Sequence, residues 1–146
     1  MAQPQSYKNH TRFDPLFHFF ILPMLLLNLG FAIYATIHFW PHYEHTHLWW
    51  IAMSLVFIMI AGNGRASALR AQDRVIRLEE QLRLADLLAE EELGLIEALT
   101  IRQYIALRFA SDAEVATLAK RAVSENLTEK QIKESIVNWR PDNHRV

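Results

Sequence analysis

The sequence predicts an all-α membrane protein: a two-helix transmembrane hairpin, a long cytoplasmic helix and a small bundle of three short helices. Three observations carry this. Two apolar blocks free of Asp, Glu, Lys and Arg stand close together in the first half of the chain. Of 15 basic and 16 acidic residues, 13 and 14 lie at or beyond Arg65. One helix-starting signal then occurs three times in the remainder.

The first block, Leu16 to Phe39, has 24 residues without a formal charge. At about 1.5 Å per residue it reaches roughly 36 Å, enough to cross a hydrocarbon core of about 30 Å with some tilt. The second block, Leu48 to Gly64, is shorter, roughly 25 Å, near the lower limit for a span. Trp40 ends the first block, and Trp49 and Trp50 open the second, where an aromatic belt would place them. The alternatives are buried core helices or, for the first block, a cleaved signal. The block is longer than a signal's apolar region, no small-residue cleavage site precedes a polar start, and a second apolar block follows at once. Residues 1–15 then form a cytoplasmic segment and residues 16–64 a hairpin, with spans at about 16–39 and 48–64 and an outer turn over 41–47.

Orientation follows from Lys and Arg. Lys8 and Arg12 precede the first span, the outer turn PHYEHTH has no Lys or Arg, and Arg65, Arg70, Arg74 and Arg77 follow the second. The positive-inside rule places both termini in the cytoplasm. The four arginines join the three tryptophans as the expected membrane-interface residues, each Arg near anionic headgroups contributing about 1 kcal/mol.

From Arg65 to about Glu92 neither Pro nor Gly interrupts the chain. A juxtamembrane amphipathic helix is expected within residues 65–97. Ala71, Val75, Leu78, Leu82, Ala85 and Ala89 alternate in spacings of four and three, a heptad-like seam. It suits either a dimeric coiled coil or packing on the chain's own C-terminal part. Asp73 with Arg77 and Glu79 with Arg83 have the favourable i,i+4 order. Asp86, Glu90 and Glu91 cluster, as a solvated face ordinarily does.

Residues 98–146 are expected to form a three-helix cytoplasmic module. Thr100 with Gln103, Ser111 with Glu114, and Thr128 with Gln131 each fit the capping box, in which a hydroxyl and a Glu or Gln three residues on satisfy each other's backbone N–H groups. Val115, Leu118, Ala119, Ala122 and Val123 form an apolar stripe on the middle helix. Ile132, Ile136 and Val137 are expected on the last, which Pro141 would end. Tyr104, Ile105, Phe109 and Trp139 supply bulk for a core that is marginal at this size.

Composition excludes several chemistries. The chain has no cysteine, so disulfides, thiolate nucleophiles, Cys zinc sites and iron–sulfur clusters are ruled out. A formal net charge of −1 and the lack of a basic reader helix argue against a nucleic-acid partner. Phosphate-binding glycine loops, HExxH and nucleophile elbows are absent, so no catalytic residue and no cofactor are assigned.

The segments YKNHTRFDPLFHF, LTIRQYIALRFASDAE and IKESIVNWRPD, with the two apolar spans, resemble a family of small bacterial membrane proteins known as a domain of unknown function. The resemblance implies a bacterial inner-membrane location and brings no activity, cofactor or catalytic residue.

Chemistry, if present, would sit in the histidines. His38, His42, His45 and His47 cluster with Glu44 about the outer turn, and imidazole suits zinc, copper and haem iron. They are the metal-ligand candidates. Pro41 is expected to break the helical spacing of His38 and His42, while His45 and His47 would point the same way on an extended loop. Against this, an interfacial turn also favours His, Tyr and Trp for their polarity alone. His18 is expected to make an interhelical hydrogen bond. The resulting expectation is a non-enzymatic accessory subunit or adaptor whose partners are the bilayer and another protein or a second copy. A metal- or haem-handling protein and a membrane-tethered regulator are the alternatives.

Overall fold

Among the residues that the computed structural model describes, 6–7, 14–42 and 44–141, all regular structure is helical. The elements are a π-helical turn at Phe17–Ile21, α1 at Leu22–Phe39, α2 at Glu44–Leu87, a 3-10 turn at Glu90–Glu92, α3 at Gly94–Ala98, α4 at Ile101–Leu107, α5 at Asp112–Ser124 and α6 at Glu129–Ser135. The described residues divide into two compact units, 14–68 in one and 69–141 together with 6–7 in the other.

The first unit is the hairpin of α1 with the opening part of α2. Asp14 starts it: its Oδ1 accepts the backbone N–H groups of Leu16 and Phe17 at 3.1 and 3.3 Å, a side-chain cap on donors that have no carbonyl partner. The π turn follows from Pro23. Without an N–H, proline cannot close the next α-helical bond, and the turn before it widens so that Leu22 N–H reaches the carbonyl of Phe17. Where the two helices meet, the buried residues are small: Ala32, Ala35 and Ser54. Their size lets the backbones approach. The large side chains point the other way. Phe19 on the π turn, Leu27 and Ile37 on α1, and Met59 and Ile60 on α2 are all more than half exposed.

Helix α2 starts at Glu44, inside the stretch expected to be turn, and it ends at Leu87, earlier than the sequence suggested. Charge explains the end. Asp86 and Glu90–Glu92 would all crowd the negative pole of a longer helix. Broken at Leu88 and Ala89, the chain instead places all three glutamates in the first turn of the next segment, where they are favourable. Leu84 and Leu88 are thereby buried.

The second unit is built on α2 from Leu69 onward and on α3–α6. Its core joins Leu84, Leu88 and Leu99 to Tyr104, Leu107, Phe109, Val115, Leu118 and Ile132. Burial pushes the Tyr104 phenol above its ordinary pKa, and its hydroxyl donates to the carbonyl of Ile96. All three expected caps are present. Thr100 and Thr128 form complete boxes with Gln103 and Gln131. The box at Ser111 leans on its return arm, Ser111 N–H to Glu114 Oε1 at 3.3 Å.

The last helix departs from expectation. It ends at Ser135, Ile136 is extended and buried, and Val137 is 80% exposed. The chain leaves the helix to pair with the segment before α5. Ser111 N–H donates to the Asn138 carbonyl at 3.1 Å and Arg140 N–H to the Phe109 carbonyl at 2.7 Å. Trp139 packs on Phe109 with ring centroids 5.3 Å apart. Arg83 likewise takes partners other than Glu79. Its guanidinium donates to Glu80 Oε2 at 3.0 Å, Asp112 Oδ1 at 2.7 Å and the Ala110 carbonyl at 2.7 Å.

Candidate functional site

The four histidines of the outer turn do not share one local setting. His38 lies in the last turn of α1 and stacks on Tyr34, centroids 4.1 Å apart. Trp40 is extended, so α1 stops before His42 and the two histidines do not share a helical face. His45 and His47 fall in the first turn of α2. Two residues apart on a helix, they point to different sides and not in common. His47 packs by its ring against Phe39 at 6.1 Å. Among the described residues no three His, Asp or Glu side chains are grouped to hold a metal ion.

The tryptophans divide. Trp40 and Trp49 are 57% and 67% exposed. Trp50 turns inward: its indole N–H donates to Asn28 Oδ1 at 3.2 Å, and its ring meets Phe31 edge-on. Asn28 in turn donates from Nδ2 to Ser54 Oγ at 2.7 Å, and Ser54 donates to the Trp50 carbonyl at 2.8 Å. This ring of bonds ties α1 to α2 between apolar walls, where an unmatched amide would cost several kcal/mol.

The arginines divide as well. Arg70, Arg74 and Arg77 are exposed on α2. Arg65 pairs with Asp14: Nη1 lies 3.1 Å from Oδ2, and the guanidinium also sits over the Phe17 ring. His18 donates from Nδ1 to the Asp14 carbonyl at 2.9 Å, within its own helix start. Asp14 therefore uses one carboxylate oxygen as a helix cap and the other as an ion-pair partner. The sequence carries the first role in its Asp-Pro-Leu start. The second has no local signal, because Arg65 is 51 residues away.

In the second unit a cleft of about 610 Å³ is lined by Tyr7, Thr100, Gln103, Leu127, Thr128 and Lys133, among others. Its cations are paired within the cleft or beside it. Lys133 lies 2.7 Å from Glu129, Arg102 4.0 Å from Glu129, and Lys130 3.8 Å from Glu134. Three cations, Arg102, Lys130 and Lys133, thus share two carboxylates, Glu129 in the lining and Glu134 beside it.

No curated protein and no solved structure gives a significant match to the chain. A family model does, over residues 1–146, and the chain belongs to that family, a family of unknown function designated DUF6526.

Proposed function

We propose that the protein is a non-enzymatic inner-membrane hairpin, an accessory subunit or adaptor that acts through its cytoplasmic helices. The observation that carries this is the reversed packing of the first unit. Helices α1 and α2 turn Ala32, Ala35 and Ser54 toward each other and Phe, Leu, Ile and Met outward. Such packing suits helices whose solvent is lipid, since lipid tails are as apolar as leucine and association falls to small and polar residues. In water it would leave a continuous apolar surface of the kind that drives aggregation.

On this reading residues 16–39 and 48–64 cross the bilayer. Trp40 and Trp49 lie at the outer interface, the Asp14–Arg65 pair at the inner one, and both termini are cytoplasmic. A bacterial inner membrane is the location that the resemblance implies. The adaptor role is favoured over catalysis because two shielded polar side chains of the second unit, Gln103 and Arg83, bond to its own backbone. Gln103 donates to the carbonyls of Ala122 and Leu127, and Arg83 to that of Ala110.

Alkaline extraction of membranes from expressing cells is the first test, and the protein stays in the pellet if it is integral. A reporter active only in the cytoplasm works when fused after Val146, and one active only outside works when inserted near Glu44. Release at alkaline pH overturns the spans; the reverse reporter pattern overturns the orientation.

A further inference from the structure

Helix α2 has two apolar stripes beyond Leu69, and only one is covered. Ile76 and Leu84 are buried on one side, with the Glu80 side chain between them. About 160° around the helix, at about 100° per residue, Val75, Leu78 and Leu82 are 52%, 61% and 70% exposed, with Ala71 and Ala85 exposed beside them. Scattered surface leucines need no explanation. Three large aliphatic side chains and two alanines at alternating spacings of four and three are a coiled-coil seam, with Val75 and Leu82 at a positions and Ala71, Leu78 and Ala85 at d positions.

We propose that α2 pairs in parallel with α2 of a second copy of this chain, through Ala71, Val75, Leu78, Leu82 and Ala85. The flanking charges favour this occupant. Arg74 occupies the g position on one side of the seam, and Glu79 and Asp86 occupy e positions on the other; all three are exposed and have no ion pair among the described residues. In a parallel pair, g of one helix faces e of the next heptad on its partner. Arg74 then meets Glu79 of the other copy, twice by symmetry. An antiparallel pair would set e against e and lose both bonds. A valine at a next to a leucine at d also favours two parallel strands. Two heptads bind weakly in dilute solution, but tethering both copies in one membrane raises their effective concentration. The inference rests on reading the cytoplasmic helices as an interaction surface, and it does not depend on the orientation of the spans.

The chain has no native cysteine, so single cysteines report the interface directly. Full-length L78C and L69C, which lie on and off the seam, are oxidised in native membranes. L78C is expected to give a covalent dimer as its main product, and L69C only background. The mass of the L78C product must equal two copies; a product with another protein overturns the proposal, as does equal crosslinking at both positions or none at Leu78. R74E and E79R each weaken the dimer of the otherwise unmodified protein in mild detergent by about fivefold, and the R74E/E79R double variant recovers it. No recovery overturns the parallel register. Alkaline extraction of the same variants separates the two readings: failure to dimerise with the protein still in the pellet overturns this inference alone, whereas release from the membrane overturns the anchor.

Discussion

The Asp14 carboxylate closes a loop of 51 residues onto Arg65, at 3.1 Å, while its other oxygen starts the first helix. One side chain thus fixes where the hairpin begins and how its two ends meet. Both partners are largely shielded, with side-chain exposures of 15% for Arg65 and 29% for Asp14.

These two roles separate by mutation. Asp14→Asn keeps an oxygen for the Leu16 and Phe17 N–H groups and loses the ion pair, at a cost of up to about 1 kcal/mol. Asp14→Ala loses both, adding about 0.5–2 kcal/mol for the cap. Denaturant titration of the hairpin in micelles should rank them in that order. Equal losses would mean that only one of the two contacts contributes.

Glu114 is expected to matter more than the serine it caps. Its carboxylate accepts from Ser111 N–H and also from the backbone N–H groups of Val137 and Asn138, at 3.2 and 3.0 Å. Glu114→Ala removes the acceptor of the Val137 and Asn138 N–H groups and the return arm of the Ser111 box, and should cost about 1–2 kcal/mol. Ser111→Ala leaves them matched and should cost about 0.5 kcal/mol, the low end for a cap. Limited proteolysis of residues 95–146 tests the order: cleavage is much faster in the Glu114 variant, and similar rates in both would refute the hub.

Glu80 makes stability depend on pH in a defined direction. Burial pushes its pKa above the ordinary carboxylate value, against the opposing pull of Arg83. The folded state therefore holds this proton more tightly than the unfolded chain. The resulting contribution to stability is fully present below the unfolded carboxylate pKa and is lost as pH rises through the raised one. Glu80→Gln removes the dependence. The melting temperature of E80Q minus that of the parent should be largest near neutral pH and shrink toward acid. A difference that widens on acidification contradicts the burial argument.

Changing His42, His45 and His47 together to Gln or Asn should leave membrane insertion and copurifying proteins unchanged. The amides keep polarity and similar volume while removing imidazole ligation. Metal analysis of the purified, untagged parent decides the alternative: a one-to-one metal content lost in the triple variant would make the outer turn a metal site.

What the sequence makes legible here is what is local. The apolar blocks, the three capping boxes and the stripe from Val115 to Ala122 each lie within a few turns of chain, and each is present in the structure. What it conceals is pairing over distance. Arg83 has Glu79 at the ideal helical spacing, yet it turns to Glu80, Asp112 and the Ala110 carbonyl. Val137 fits the stripe begun by Ile132, but backbone pairing with Ser111 and Phe109 ends the helix first. The histidines read as one cluster along the chain because spacing in sequence does not reveal that α2 begins at Glu44 and separates them by turn and face.

Gln103 uses its whole amide. Its oxygen accepts from the Thr100 N–H and hydroxyl at 2.8 and 3.0 Å, and its nitrogen donates to the carbonyls of Ala122 and Leu127 at 2.9 and 3.1 Å. Replacing that one nitrogen by oxygen, through a codon change or through hydrolysis of the amide, would aim a negative atom at two carbonyls in a site only 5% exposed. Gln103→Glu should therefore lower stability by more than about 3 kcal/mol, measurable by thermal unfolding, while a substitution of similar size on the exposed face of α5 should not. Deamidation at this position would open the joint between α4 and α5, so an aged chain would be recognisable by its early susceptibility to proteases at residues 122–128.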